Sequence, residues 1–302
     1  MPARTKRRLQ CCLPAALLLG TPLGALGQST MSWQGFADAD AAIRFDSNLG
    51  NGQAAQDIHS DLGATAGLSG GELLVVDDAT TLSVRVGGAA AVFDRYSGMD
   101  NLALNGTTAL KHKFGLGARA PWVALSMSAS RLVFRNAVRT GWLYQPAVSA
   151  GLRPGERWEA RVDYRIDYRS ADHERPSDPD RPADVFHQRN ANWIFGVHYA
   201  LTEHATVSAG YTRRTGDAAV STSAENPAID RISSAETADT VFGVNTVAYK
   251  LHANSNVFFV GFSQDLGSRS LIGLEGERQM IYAAEGVSYY KSVITAFWTY
   301  SF

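Results

Sequence analysis

Residues 158–169, WEARVDYRIDYR, alternate without a break. Trp158, Ala160, Val162, Tyr164, Ile166 and Tyr168 make one set, and Glu159, Arg161, Asp163, Arg165, Asp167 and Arg169 the other. Side chains of an extended strand point to opposite faces with period two, so a strand here has one apolar face and one face of six charges. A dry core on the charged side is ruled out by the cost of burying ions without compensation. Lipid on that side is ruled out as well, because a single Arg at the bilayer midplane costs about 2–4 kcal/mol. Two environments remain: a soluble sandwich with the charged face in water, or a wall between lipid and a water-filled lumen.

The same alternation recurs along the chain. Ala37, Ala39, Ala41, Ile43 and Phe45 oppose Asp38, Asp40, Arg44 and Asp46; Val123, Leu125, Met127 and Ala129 oppose Ser126, Ser128 and Ser130; Trp193, Phe195, Val197 and Tyr199 oppose Asn192 and His198. Period-two patterning predicts strands at 35–46, 58–70, 80–95, 102–114, 121–135, 141–152, 157–170, 187–200, 205–217, 248–265, 270–282 and 289–302. Past the N-terminal region there is no apolar run of the roughly 18 residues that a membrane helix needs. A chain that crosses lipid with strands must close them into a barrel, since lipid offers no partner to an unpaired backbone group. The predicted fold is therefore an all-β, antiparallel transmembrane β-barrel of about twelve strands. Segment 239–256, DTVFGVNTVAYKLHANSN, reads either as part of a long loop or as a further strand pair, which would give fourteen. Connectors alternate between short turns (near Val76–Thr80, Gly115–Pro121, Arg153–Gly155, Leu201–His204 and Asp265–Ser268) and longer polar loops (near Asn48–Asp57, Ala171–Phe186 and Asp217–Thr246). Barrels of the outer membrane have this asymmetry, with short periplasmic turns and long surface loops.

The ends fit this reading. Arg4, Lys6, Arg7 and Arg8 precede a short apolar run from Cys11 to Leu19, and Ala25-Leu26-Gly27 supplies small residues for cleavage. That is the layout of a secretory signal peptide, which divides the chain into a leader at 1–27 and a barrel domain at 28–302. Both cysteines, Cys11 and Cys12, fall in the leader, so the exported chain is expected to carry no thiol, disulfide or thiolate metal site. The leader removes four of the 28 Lys+Arg and leaves 24 against 29 Asp+Glu, a net charge of −5. So acidic a chain is a poor nucleic-acid binder.

At the other end, YYKSVITAFWTYSF places Tyr290, Ser292, Ile294, Ala296, Trp298, Tyr300 and Phe302 on one face, and Lys291, Thr295, Thr299 and Ser301 on the other, with Val293 and Phe297 as exceptions. This resembles the last strand of Gram-negative outer-membrane β-barrel proteins, a porin-like class with no particular subfamily indicated. The resemblance implies that Trp298, Tyr300 and Phe302 form the assembly signal read by the barrel-assembly machinery. It also implies that the surroundings are outer-membrane lipid and lipopolysaccharide.

Pore-lining candidates are Glu159, Arg161, Asp163, Arg165, Asp167 and Arg169 on the charged strand, Asp38, Asp40 and Arg44 on the first strand, Lys111 and Lys113, and Glu275, which with Glu277 and the first-strand acids could pair across the barrel. Opposed charges would set a transverse field that selects small polar solutes; alternatively they neutralise one another and plug a narrow barrel. A porin-like small-solute channel, with no catalytic residues, cofactor or metal, is the leading reading. A non-conducting barrel that assists export of a polysaccharide or a surface lipoprotein is the alternative. RFDSNLGNG (44–52) resembles the first strand and loop of barrels attached to such export systems. A barrel-embedded hydrolase is the third reading, but none of the seven histidines has a serine at i±2, and no HExxH, calcium loop or phosphate cradle occurs. Asp172, Asp178, Asp180 and Asp184 in the Pro-rich loop 171–186 read as a solvated surface loop rather than a cation site. Mass spectrometry of the exported protein is expected to find its N-terminus at Gln28 and no group that reacts with a thiol reagent; an alkylatable cysteine would overturn the leader assignment.

Overall fold

The computed structural model describes residues 32–173, 176–222 and 226–302; the predicted leader lies outside the described residues. The described residues form thirteen strands: β1 Ser32–Asp46, β2 Asp61–Val75, β3 Thr80–Phe93, β4 Asn101–Lys113, β5 Trp122–Phe134, β6 Gly141–Leu152, β7 Trp158–Ala171, β8 Gln188–Ala200, β9 Ala205–Thr222, β10 Ala235–Ala238, β11 Val247–Asp265, β12 Ser270–Ala283 and β13 Ser288–Ser301. A short helix, α1, spans Pro227–Ile232. β1 pairs with β2 on one side and, through Asp38↔Ser301 to Asp46↔Val293, with β13 on the other. β9 pairs directly with β11. Twelve antiparallel strands thus close on themselves, and β10 stands outside the ring, paired only with β11. The ambiguous segment 239–256 resolves as loop followed by the start of β11, which settles the count at twelve wall strands.

The outer surface is an apolar belt. Ile43, Leu68, Val86, Leu104, Leu125 and Val148 on β1 to β6, and Val260, Leu274 and Ile294 on β11 to β13, are exposed. Aromatic side chains gather towards both rims: Trp33, Trp158, Tyr199, Trp298 and Phe302 at the short-turn end, and Trp142, Tyr168, Tyr282 and Tyr290 at the loop end. Such girdles flank the lipid band of membrane barrels, where the amphipathic rings suit the headgroup level. The short turns are tightly tied. At the β2–β3 turn the Asp77 carboxylate accepts from the amides of Ala79 (2.8 Å) and Thr80 (2.7 Å), and these bonds, that of Ala79 first, hold its carboxyl below the usual range.

One wall pair outgrows its neighbours. β9 and β11 stay paired as far as Thr222↔Val247, whereas β8 leaves β9 at Asn190↔Gly216 and β12 leaves β11 at Ala283↔Ala253. Residues 217–222 and 247–252 therefore form a two-stranded ribbon beyond the wall. The departure point is Gly216, whose φ of +144° suits a residue without Cβ; an added Cβ would lie 2.1 Å from the Arg189 carbonyl oxygen. The ribbon is buried on both faces. One face packs Val220, Tyr249 and Leu251 against Ile229 of α1 and against Ile281, Val287 and Tyr289. The other packs Ala219 and Ala248 against Val138, Val185, Phe186 and Ala235. Because Ile281 and Tyr289 also line the barrel interior, residues 217–222 and 226–251, packed against them, cover the loop-end mouth. The loop after β1 reaches across to the free edge of β9: the Gly50 carbonyl accepts from the Ser221 amide (2.8 Å), Asn51 Nδ2 donates to the Ala219 carbonyl (2.9 Å), and Thr222 Oγ1 donates to buried Asp57 (2.9 Å). An edge that would otherwise be left unpaired is so covered.

Replacing Gly216 with Ala should lower the temperature at which the barrel loses its folded gel mobility, by the equivalent of about 1–3 kcal/mol for the forced backbone conformation. Gly276→Ala, where a Cβ meets nothing within 4 Å, should leave it unchanged. Equal melting of the two variants would refute the account of the ribbon's departure.

Candidate functional site

A connected cavity of about 1080 Å³ runs inside the barrel, from Gln34, Phe36, Leu73 and Trp122 near the short turns to Leu49, Gly50, Arg139 and Phe186 beneath the roof. Of the residues singled out from sequence, Asp38, Asp40, Arg44, Lys111, Arg161, Asp163, Arg165, Asp167, Arg169 and Glu275 line it. Glu159 and Lys113 are not among the lining residues. Glu159 is held by Arg153 Nε at 2.7 Å near the short-turn rim, and Lys113 closes β4 opposite Trp122. Trp298 and Phe302 are exposed on the outer face, with Tyr300 between them in contact with both rings.

The alternating charges of β7 pair along their own strand. Arg161 meets Asp163 at 2.6 Å and Arg165 meets Asp167 at 2.9 Å. Asp167 accepts further from Gln145 Nε2 (2.7 Å) and Asn192 Nδ2 (2.9 Å) on the flanking strands. Residues two apart on a strand share a face, so a run of Arg-x-Asp needs no partner across the lumen. The first-strand acids also find near neighbours. Asp38 accepts from Arg85 (2.9 Å) and Ser301 (2.8 Å), Asp40 from Thr299 (2.8 Å), and buried Asp46 from Lys291 (3.0 Å). Glu277 accepts from Gln279 (2.9 Å), two residues along β12. The pairing across the barrel expected for these acids is replaced by contacts within one strand, between adjacent strands or, for Asp38 with Arg85, between strands two apart, because neighbouring strands lie about 5 Å apart, far closer than opposite walls.

Large side chains narrow the interior. The Lys111 ammonium stands 4.2 Å from the centroid of Trp122, a cation–π contact. Trp122 covers Gly151, Phe259 covers Gly210 and Phe297 covers Gly273; a Cβ at any of these glycines would come within 2.5 Å of the ring. Glycine on one strand thus makes room for an aromatic on its neighbour. Phe297 and Val293, the two breaks in the polar face of the last strand, both face inward, and Phe297 is of this kind.

The roof has its own electrostatic anchor. Asp239, with no exposed surface, accepts from Arg139 and from Ser221 Oγ (2.7 Å), and the Arg139 guanidinium lies 4.5 Å from the Phe186 ring centroid. Neither Asp239 nor Arg139 is conspicuous in the sequence, being 100 residues apart in separate loops. Elsewhere on the loop side Asp172 accepts a bidentate pair from Arg131, and that hydrogen bonding holds its carboxyl below the usual range. Asp184 accepts from Lys250 at 3.0 Å. Among the described residues no cluster of acids, histidines or cysteines has the arrangement to hold a metal ion. The histidines are dispersed: His59 stacks on Phe242 and bonds Tyr96, His112 bonds Thr80, and His198 lines the cavity.

No protein-family model and no curated protein matches the chain. Solved structures do. An outer-membrane channel from Pseudomonas putida F1 superposes with a TM-score of 0.58 at 11% identity, over 89% of this chain and 96% of that one. The NanC porin gives 0.44 at 11% identity over 86% and 98%, and the outer-membrane channel DcaP of Acinetobacter baumannii 0.41 at 10% over 92% and 99%. At such identities the likeness speaks for the fold: the chain has the architecture of the porin-like outer-membrane β-barrels.

Asp239→Asn should release the roof and leave the wall intact. Removing one member of a buried ion pair costs about 3–5 kcal/mol, so the variant is expected to keep folded gel mobility while the segment around 226–246 becomes rapidly cleavable by protease. Unchanged protection would show that the apolar packing alone holds the roof.

Proposed function

We propose that the protein is an outer-membrane channel for small polar solutes. The observation that carries this reading is the connected cavity, lined by inward charges set among apolar side chains, inside a closed barrel with an apolar outer belt. Twelve strands lie between eight-stranded barrels, filled by side chains, and open porins of sixteen or more. Water and polar groups in such an interior satisfy the inward charges, and the belt satisfies lipid. The ion pairs along β7 and around β1 make the path polar without a large net field, and the residues proposed to line it, from Asp38, Asp40 and Arg44 through Lys111 to Arg161, Asp163, Arg165, Asp167, Arg169 and Glu275, act by electrostatic selection. Glu159 and Lys113 belong to the entrance at the short-turn rim. Trp298, Tyr300 and Phe302 serve as the assembly signal.

The inward-folded roof favours one competing reading, a barrel that conducts poorly by itself and handles a larger partner such as an exported polysaccharide or a surface lipoprotein. Planar-bilayer recording of the refolded protein separates the two. Discrete conductance steps are expected, with an ion preference that shifts when Arg161, Arg165 and Arg169 are all changed to Gln. A silent bilayer, with folded protein verified by gel mobility, would transfer the weight to the partner-handling barrel.

A further inference from the structure

The charges facing the upper half of the cavity do not balance, and the imbalance has a definite location. Each carboxylate near the roof is already committed: Asp167 to Arg165, Gln145 and Asn192, and Asp239 to Arg139 and Ser221. Two arginines lining the same space make no ion pair among the described residues, although Asp167 and Asp217 act on Arg214 from beyond contact distance. Arg169 donates from Nη2 to the Arg139 main-chain carbonyl at 2.7 Å, and its Nε, buried like that of Arg139, meets no acceptor among the described residues. Arg214, two strands away on β9, donates to the Asp217 main-chain carbonyl at 3.2 Å. A guanidinium carries five N–H donors in a planar fork, so one carbonyl leaves most of each group unfilled. The site is built rather than accidental. The Arg169 guanidinium lies 5.5 Å from the ring centroids of both Phe134 and Phe186, which fix its plane, and Arg139 stacks on the same Phe186.

We propose that the chamber beneath the roof binds a small organic anion, with its carboxylate on Arg169 beside Phe186 and Arg214 adding positive field from the adjoining wall. Arginine is suited to this because its fork matches a carboxylate's two oxygens, and the flanking rings offer an apolar surface to the body of the molecule. The inference rests on the reading of the interior as a solute path and names the class of solute that path retains longest.

Benzoate and benzamide, alike in shape and different in charge, are the probes. Refolded full-length protein in neutral detergent is titrated with each by calorimetry, and KCl conductance is recorded with and without benzoate. Benzoate is expected to bind and benzamide not to. Arg169→Gln should weaken benzoate at least tenfold, Arg214→Gln several-fold, and Arg169→Lys should recover part of the loss. Arg119→Gln, on an exposed short turn, should change nothing. Folded gel mobility checks each variant, so that if Arg169→Gln misfolds, Arg214→Gln still decides. Absence of benzoate binding, equal binding of benzamide, or unchanged affinity in both glutamine variants would overturn the proposal. Conductance without benzoate binding would overturn this inference and leave the channel; binding without conductance would remove the channel and leave the anion site.

Discussion

Backbone hydrogen-bond closure is the constraint from which the rest follows. In lipid every unpaired N–H or C=O costs several kcal/mol, so the wall can have no edge, and the pairing of β1 with β13 removes the last one. Once the ring is closed, the period of two leaves each residue only the choice between lipid and lumen. The apolar belt, the aromatic rims and the inward charges are consequences of that choice. The same constraint shapes the mouth. Where β9 runs past β8, the backbone of residues 219 and 221 is taken up by Gly50 and Asn51 from the loop after β1, and where β11 runs past β12, β10 takes the vacant side.

The interior shows how a narrow barrel holds many ions without collapsing. Pairing within a strand, as in Arg161–Asp163 and Arg165–Asp167, satisfies charges where they stand and keeps them against the wall. Aromatic rings lie over glycines of the neighbouring strand, so bulk is also kept to the wall. What is left in the centre is space, and among the described residues the groups that face it without an ion pair include Arg169 and Arg214 beneath the roof and Glu275 and Glu277 on β12.

Most of the wall was legible in the sequence, because alternation is local, although β2 and β9 run to Val75 and Thr222, past the predicted ends at 70 and 217. The first predicted strand, 35–46, lies within Ser32–Asp46, and the charged strand read from Trp158 is β7 as far as Ala171. The roof was not legible, for a physical reason. The ribbon continues the period-two pattern past Gly216, but both of its faces are buried, so alternation no longer distinguishes inside from outside. Its anchor, Arg139 with Asp239, joins two loops that nothing local connects. The interior was legible in part. Arg169 stands out within an alternating run, whereas Arg214 sits in the sequence YTRRTG, where two adjacent arginines obscure which one faces inward. Phe297 looked like a defect in the last strand until its partner, Gly273 on β12, was placed beside it.

The bond between Gly50 and Ser221 joins residues far apart in the chain, from strands that become neighbours across the mouth only when the ring is complete. Loop closure over such a span is entropically costly before the intervening strands are in place. Closing the wall first is therefore the less costly order, and on that order the barrel would be closed at the side and open at the top before the cover forms. Solvent can fill the interior during that stage, so the inward ions are hydrated before they are enclosed and need never cross the lipid dry.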